Sequence, residues 1–154
     1  MIIYKEGSIF DSGAECLVNP VNCQGIQGAG LAKEFKKRFP ENSMLYEKHC
    51  VLQLLQPGGI FVTKMPGFRY IVNLATKEKW QESSQYLWVC QGLNELRKYI
   101  KKYNIKSVAI PALGCGCGKL DWEEVKKEIE LYMDFLPGVD VMIYPPHKKG
   151  VCER

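Results

Sequence analysis

Two runs of glycine give this chain places where backbone alone could do chemistry. The first, Gly25-Ile26-Gln27-Gly28-Ala29-Gly30, follows Val18-Asn19-Pro20-Val21-Asn22 and runs into a helical pattern. The second lies in Pro111-Ala112-Leu113-Gly114-Cys115-Gly116-Cys117-Gly118 and leads to Asp121-Trp122. Glycine lets a ligand approach the backbone closely, and a helix N-terminus adds unpaired N–H groups, so each run can form an anion site. The first run reads G-x-x-G-x-G, which is not the dinucleotide fingerprint, and no Gly-Lys-Ser/Thr follows to make a P-loop. One such run is simply a tight strand-to-helix turn. Two, each between a strand end and a helix start, point to a ligand with two phosphates.

The side chains near these runs allow fewer reactions than they first suggest. A C-x5-R phosphatase needs arginine six residues after its nucleophile, but those positions after Cys115 and Cys117 hold Asp121 and Glu123. C-x-C with only two histidines in the chain does not supply a zinc ligand set. Small thiols lining a buried loop are the simpler reading. Lys77, in Asn73-Leu74-Ala75-Thr76-Lys77, falls just past a predicted strand end. By residue type it is either a solvated turn lysine or a charged group at the strand edge where both runs converge.

The elements that must hold these residues alternate. Strands are expected at 1–5, 15–21, 59–65, 70–76, 107–113 and 140–145, from their apolar runs and flanking turn residues. Leu31, Ala32, Phe35 and Phe39 recur at helical spacing, and Pro40 suits the first turn of a second helix. A long helix should present Leu87, Cys90, Leu93, Leu96 and Ile100 on one face. Asp121 followed by Glu124 reads as an N-cap with a capping-box acid opening a last helix. This alternation argues for an α/β fold, a three-layer α/β/α sandwich, in which ligands collect at the carboxyl ends of the strands.

Composition sets the outer bounds. A chain of 154 residues with 46% hydrophobic and 25% charged residues is one domain's worth, 1–154. A net charge of +4 permits a polyanionic partner without demanding one. Seven cysteines without a secretory signal read as reduced thiols, and with no membrane-spanning run the expected location is cytoplasmic, with no membrane partner.

Taken together, Val18–Pro40, Tyr70–Trp80 and Val108–Trp122 resemble a macro domain, the ADP-ribose-binding module. The resemblance runs from Ile2 to Pro145 and is strongest to the DarG-type DNA ADP-ribosyl glycohydrolases and the terminal ADP-ribose protein glycohydrolase. It implies a single macro domain with a mixed central sheet, and ADP-ribose as ligand or product with no metal or other cofactor.

Carried over residue by residue, the resemblance places Asn22 beside the distal ribose, with Asn19 upstream on the same segment. It wraps Gly25, Gln27, Gly28, Gly30 and Leu31 around that ribose and one phosphate. Pro111, Leu113, Gly114, Cys115, Gly116, Cys117 and Gly118 would cradle the diphosphate. Tyr144 takes the place of an aromatic that stacks on adenine. Ser8 stands where many relatives carry an adenine-binding aspartate, leaving backbone near Ser8 and Ile9 to recognise that base. Thr76 and Lys77 match the segment carrying the DarG-type catalytic lysine, as nucleophile or as electrostatic stabiliser, with Asn22 as its companion.

The protein-deconjugating branch has an aspartate where this chain has Gly118, which favours the DarG-like branch. The implied function is removal of ADP-ribose from thymidine in single-stranded DNA, with a DarT-type ADP-ribosyltransferase toxin as partner. The alternatives are a non-catalytic ADP-ribose reader, or a hydrolase of glutamate-linked ADP-ribose, O-acetyl-ADP-ribose or ADP-ribose 1″-phosphate. Trp80 is left open by its residue type, as a platform for a base or as a core anchor.

Overall fold

The computed structural model describes residues 1–67 and 69–147. Six strands form one sheet: β1 (Ile2–Tyr4), β2 (Cys16–Val21), β3 (Ile60–Met65), β4 (Arg69–Ala75), β5 (Ser107–Ile110) and β6 (Asp140–Ile143). Their order is β1-β6-β5-β2-β4-β3, parallel except for the antiparallel β3–β4 hairpin. The helices are α1 (Gly30–Arg38), α2 (Pro40–Val51), α3 (Tyr86–Lys102) and α4 (Trp122–Tyr132). A 3-10 turn at Ile9–Asp11 was not expected from the sequence pattern. Strand 107–113 is shorter than expected, because the chain leaves the sheet at Pro111, which lacks the N–H to continue the ladder.

Strand alternation sorts the side chains into two cores and so makes three layers. Cys16, Val18, Val72, Leu74, Val108, Ile110, Val141 and Ile143 face α3 and α4. Leu17, Ile71 and Ala109 face Phe35 of α1, while Val21 and Ala75 face Tyr46 and Cys50 of α2. The mixed sheet between two helical layers is the expected sandwich.

Helix α3 is rotated from its expected face. Val89, Gly92, Leu93, Leu96 and Ile100 are buried, whereas Leu87 is exposed and Cys90 half-buried. Gly92 is the reason for the close approach. A Cβ there would lie 2.4 Å from Leu74 Cδ2, so the helix seats its bare backbone on β4. Asp121 caps α4 as expected, accepting from Glu124 N–H at 3.3 Å, but its own N–H donates to the Tyr86 hydroxyl instead of to Glu124.

Under α2 the core is polar. Asn73 Oδ1 accepts from Asn19 Nδ2 at 3.0 Å and from Asn42 Nδ2 at 3.1 Å. Asn73 Nδ2 donates to Asn42 Oδ1 at 2.9 Å and to the Phe61 carbonyl at 3.0 Å, while Thr63 Oγ1 donates to Asn42 Oδ1 at 2.7 Å. This cluster ties β2, β3 and β4 to α2 with directional bonds that an apolar core would lack.

Asn73→Ala should therefore cost about 3 kcal/mol, because it strands the Asn19 and Asn42 donors in the interior at ~1–3 kcal/mol each. Urea unfolding measures it. A loss below about 1 kcal/mol would show that the cluster relaxes and re-pairs without Asn73.

Candidate functional site

Strands β2 and β4 run in register to their ends, with Val21 opposite Ala75. The chain therefore leaves the sheet at Asn22 and Thr76 side by side, and the pairing continues beyond it. Thr76 N–H donates to the Val21 carbonyl and Cys23 N–H to the Glu78 carbonyl, both at 3.0 Å. The Cys23 thiol donates to the Lys77 carbonyl at 3.4 Å. Lys77 is only 8% exposed, and its Nζ donates to the carbonyls of Cys117 at 3.1 Å and Trp80 at 3.4 Å. The ammonium thus sits where the second glycine run meets its own loop, and the Lys77 carbonyl faces Cys23 just ahead of the first run.

These loops wall a cleft of ≈ 1100 Å³ at the carboxyl edge of the parallel strands. It is lined by Ser8, Ile9, Asn22, Gly28, Gly30, Leu31, Thr76, Lys77, Pro111, Gly114, Cys115, Gly116, Cys117, Gly118 and Tyr144, all expected from the sequence. Helix α1 opens onto the cleft at Gly30, and its N-cap Ala29 supplies no side-chain bond. The first-turn N–H groups have no partner within the helix, so they and the helix dipole are available to an anion.

The glycines fall into two kinds. At Gly118 a Cβ would lie 2.2 Å from Ser84 Oγ and 2.4 Å from the Gly114 carbonyl oxygen, so the folded loop excludes any side chain. Gly114 has φ +73° and a Cβ there would lie 2.8 Å from Leu120 Cδ1. By contrast, a Cβ at Gly28 or Gly116 would meet no atom of the described residues within 4 Å, and neither has a left-handed backbone. The protein does not need glycine at those two positions. Both face the cleft, where an added methyl would occupy ligand space.

Ser84 locks the second run in place. Its N–H donates to the Gly118 carbonyl at 2.9 Å and its hydroxyl to Thr76 Oγ1 at 3.2 Å. No sequence signal singled it out, because it lies in an irregular loop and acts on a distant one. Phe10 and Arg38, also lining the cleft, were missed likewise; the Arg38 guanidinium lies 4.4 Å from the Phe10 ring centroid. Tyr144 is buried beside them, its phenol pushed up by burial and by the Asp11 charge, with a hydrogen bond to Ser12 working the other way.

Four expected residues are not in the cleft wall. Asn19 points the other way, into the asparagine cluster, because strand alternation puts it opposite Pro20; its Oδ1 has no hydrogen-bond partner. Gly25, at φ +77°, backs onto Glu47 and Cys50 of α2. The Gln27 amide is held by the Ala32 carbonyl and Ser43 hydroxyl. Leu113 is wholly core.

Asn22 reaches the cleft wall, but its amide organises the first loop. Nδ2 donates to the Ile26 carbonyl at 2.8 Å, and Oδ1 accepts from Gln24 N–H at 2.9 Å and the Tyr46 hydroxyl at 3.2 Å. In this geometry Asn22 positions the loop.

The thiols offer no ready nucleophile. Burial, with the Asp121 charge adding, pushes the Cys115 thiol up to about 12, so it stays protonated near neutrality. Cys16, Cys23, Cys50, Cys90 and Cys115 are free. Cys117 is disulfide-bonded, against the expectation of reduced thiols. Cys152 lies outside the described residues. Among the described residues no group of three or more His, Cys, Asp and Glu could hold a metal ion, and no helix is long and apolar enough to cross a membrane.

The same architecture recurs in known proteins. The DNA ADP-ribosyl glycohydrolase of Mycobacterium tuberculosis is 41% identical over 95% of this chain and 42% of its own length. The macrodomain of Mycobacterium tuberculosis DarG superposes with a TM-score of 0.92 at 40% identity, covering 95% of this chain and 98% of that one. In Thermosipho africanus, a DNA ADP-ribosyl transferase–DNA ADP-ribosyl glycohydrolase fusion protein is 30% identical over 95% of this chain and 42% of its own length. The structure of Thermosipho africanus DarTG in complex with ADP-ribose matches with a TM-score of 0.88 at 29% identity, covering 94% of this chain and 42% of that one. The chain thus spans well under half the length of the curated relatives it matches here. With the Macro domain family model matching residues 18–129 and the glycine runs folded into one cleft, the chain belongs to the macro domain family.

Proposed function

We propose that this chain binds ADP-ribose and acts as a glycohydrolase that removes it from a nucleobase of single-stranded DNA. The observation that carries the reading is Lys77, buried in the cleft wall with its ammonium held between the second glycine run and its own loop. Burying a lysine in a binding site costs stability, and a module that only held ADP-ribose would have no use for one there. The names of its relatives in Mycobacterium tuberculosis and Thermosipho africanus support the same activity.

The diphosphate would lie between the α1 N-terminus and the second glycine run. Gly28 and Gly116 leave room there for its oxygens to reach backbone N–H groups. Phe10, Arg38 and Tyr144 mark the adenine end and Lys77 the distal ribose. In the reaction the bond from the ribose anomeric carbon to the base nitrogen breaks, and its electron pair leaves with the base. Water adds its hydroxyl to the carbon and its proton goes to the base. Two carbonyl acceptors suit an ammonium, so Lys77 offsets the charge that develops on the departing base, a preorganised contribution of the oxyanion-hole kind. Water is the only co-reactant, and a DarT-type transferase would supply the substrate.

Gly118 supports the nucleobase reading over the protein-deconjugating one. The folded loop has no space for an aspartate side chain at this position.

Two measurements test the assignment. Lys77→Ala should bind ADP-ribose within about threefold of wild type yet lose about 100-fold or more of its release from ADP-ribosylated single-stranded DNA. Equal release by both proteins would remove Lys77 from the chemistry. Gly116→Val should leave the melting temperature within about 2 °C, as for a surface change, because a Cβ at this exposed position meets no atom of the described residues within 4 Å. ADP-ribose affinity should nonetheless fall at least ~10-fold, or ~1.4 kcal/mol. Unchanged affinity would put the diphosphate elsewhere.

A further inference from the structure

Ile26 and Trp80 are the only exposed large apolar residues among the described ones lining the cleft. Trp80 is 37% exposed, whereas Trp88 and Trp122 are half-buried against the fold. Its backbone is fixed at both ends of the residue. Trp80 N–H donates to Gln24 Oε1 at 3.0 Å, and the Trp80 carbonyl accepts from Lys77 Nζ at 3.4 Å. The indole is thus carried on a hydrogen-bonded loop three residues from Lys77, the group that addresses the scissile bond in the reading above. Ile26, on the first glycine run, contributes the second apolar patch to the same cleft.

A core anchor would be buried, and Trp80 is not. A tryptophan left half in water on a pinned loop offers a large flat π surface to an aromatic partner. A base-linked ADP-ribose places such a partner one bond beyond the anomeric carbon. A glutamate-linked or acetyl-linked ADP-ribose does not.

We infer that Trp80 is a specificity-determining residue whose indole stacks the base from which ADP-ribose is cut. This rests on the glycohydrolase reading above. Stacking on every base is sequence-tolerant, so Trp80 selects for a nucleobase leaving group over a carboxylate one and reads no sequence. Exposed Lys79 and Lys119, each one residue from a residue lining the cleft, suit a strand that continues past the modified base.

The test uses a single-stranded oligonucleotide bearing one thymidine-linked ADP-ribose, beside free ADP-ribose and O-acetyl-ADP-ribose. Trp80→Ala should raise KM for the oligonucleotide about 5- to 150-fold, the range expected for one lost stack. ADP-ribose affinity and turnover of O-acetyl-ADP-ribose should stay at wild-type values, and Trp80→Phe should recover most of the loss. Wild-type KM in Trp80→Ala, an equal loss on O-acetyl-ADP-ribose, or no rescue by Phe would overturn the assignment.

A binding arm separates this inference from the reading beneath it. In a Lys77→Ala background the modified oligonucleotide should bind more tightly than ADP-ribose, and adding Trp80→Ala should erase that advantage. No such advantage overturns the stack. An oligonucleotide that binds through Trp80 but is never cleaved by wild type overturns only the glycohydrolase activity.

Discussion

The in-register pairing of β2 with β4 is the constraint on which the site depends. Because Val21 and Ala75 end their strands at the same level, everything after them starts from a common line. The bonds from Thr76 to Val21 and from Cys23 to Glu78 carry the ladder past the sheet. Each contributes only about 1 kcal/mol net. From the loop they hold, the Lys77 side chain reaches the carbonyls of Cys117 and Trp80. A register slip of one residue would turn Lys77 to the opposite face and break the asparagine cluster under α2 as well.

Electrostatically the cleft is built mostly from backbone. The α1 N-terminus and the second glycine run present dipoles, and Lys77 adds a formal charge at the floor. Backbone dipoles held by a fold do not need to reorganise when charge moves, which is the advantage of preorganisation. Ser84 holds this arrangement together, since it joins the tip of the second run to the end of β4 through Gly118 and Thr76.

Much of this was legible in the sequence, and the errors follow a pattern. Strands and helices were readable because their signal is local periodicity. Fifteen residues expected at the site line the cleft, since glycine runs between strand and helix carry their own signature. Asn19 was misplaced because it lies within a strand, where alternation sends it to the face opposite Pro20. Leu113 and Gln27 share loops with true lining residues but turn inward to core and hydroxyl partners. The apolar pattern of α3 points to a rotated face because Gly92 has no side chain to register in a hydrophobic count, yet its bareness is what lets the helix settle on Leu74. Ser84, Phe10 and Arg38 carry no local mark, since each matters through residues far along the chain.

The strand order has a consequence for how the chain comes to be folded. Among the described residues β1 pairs only with β6, Ile2 opposite Val141. β1 must therefore wait for β6, a delay on the order of ten seconds at ordinary rates of synthesis. Most of the cleft wall and of the sheet comes from the chain between Gly7 and Gly118 and can assemble in the meantime, while Tyr144 to His147 complete the cleft only afterwards. Edge closure by β1 is then a late event with a long loop to close, and the unpaired flank of β6 is the surface a nascent chain would have to shield until it occurs.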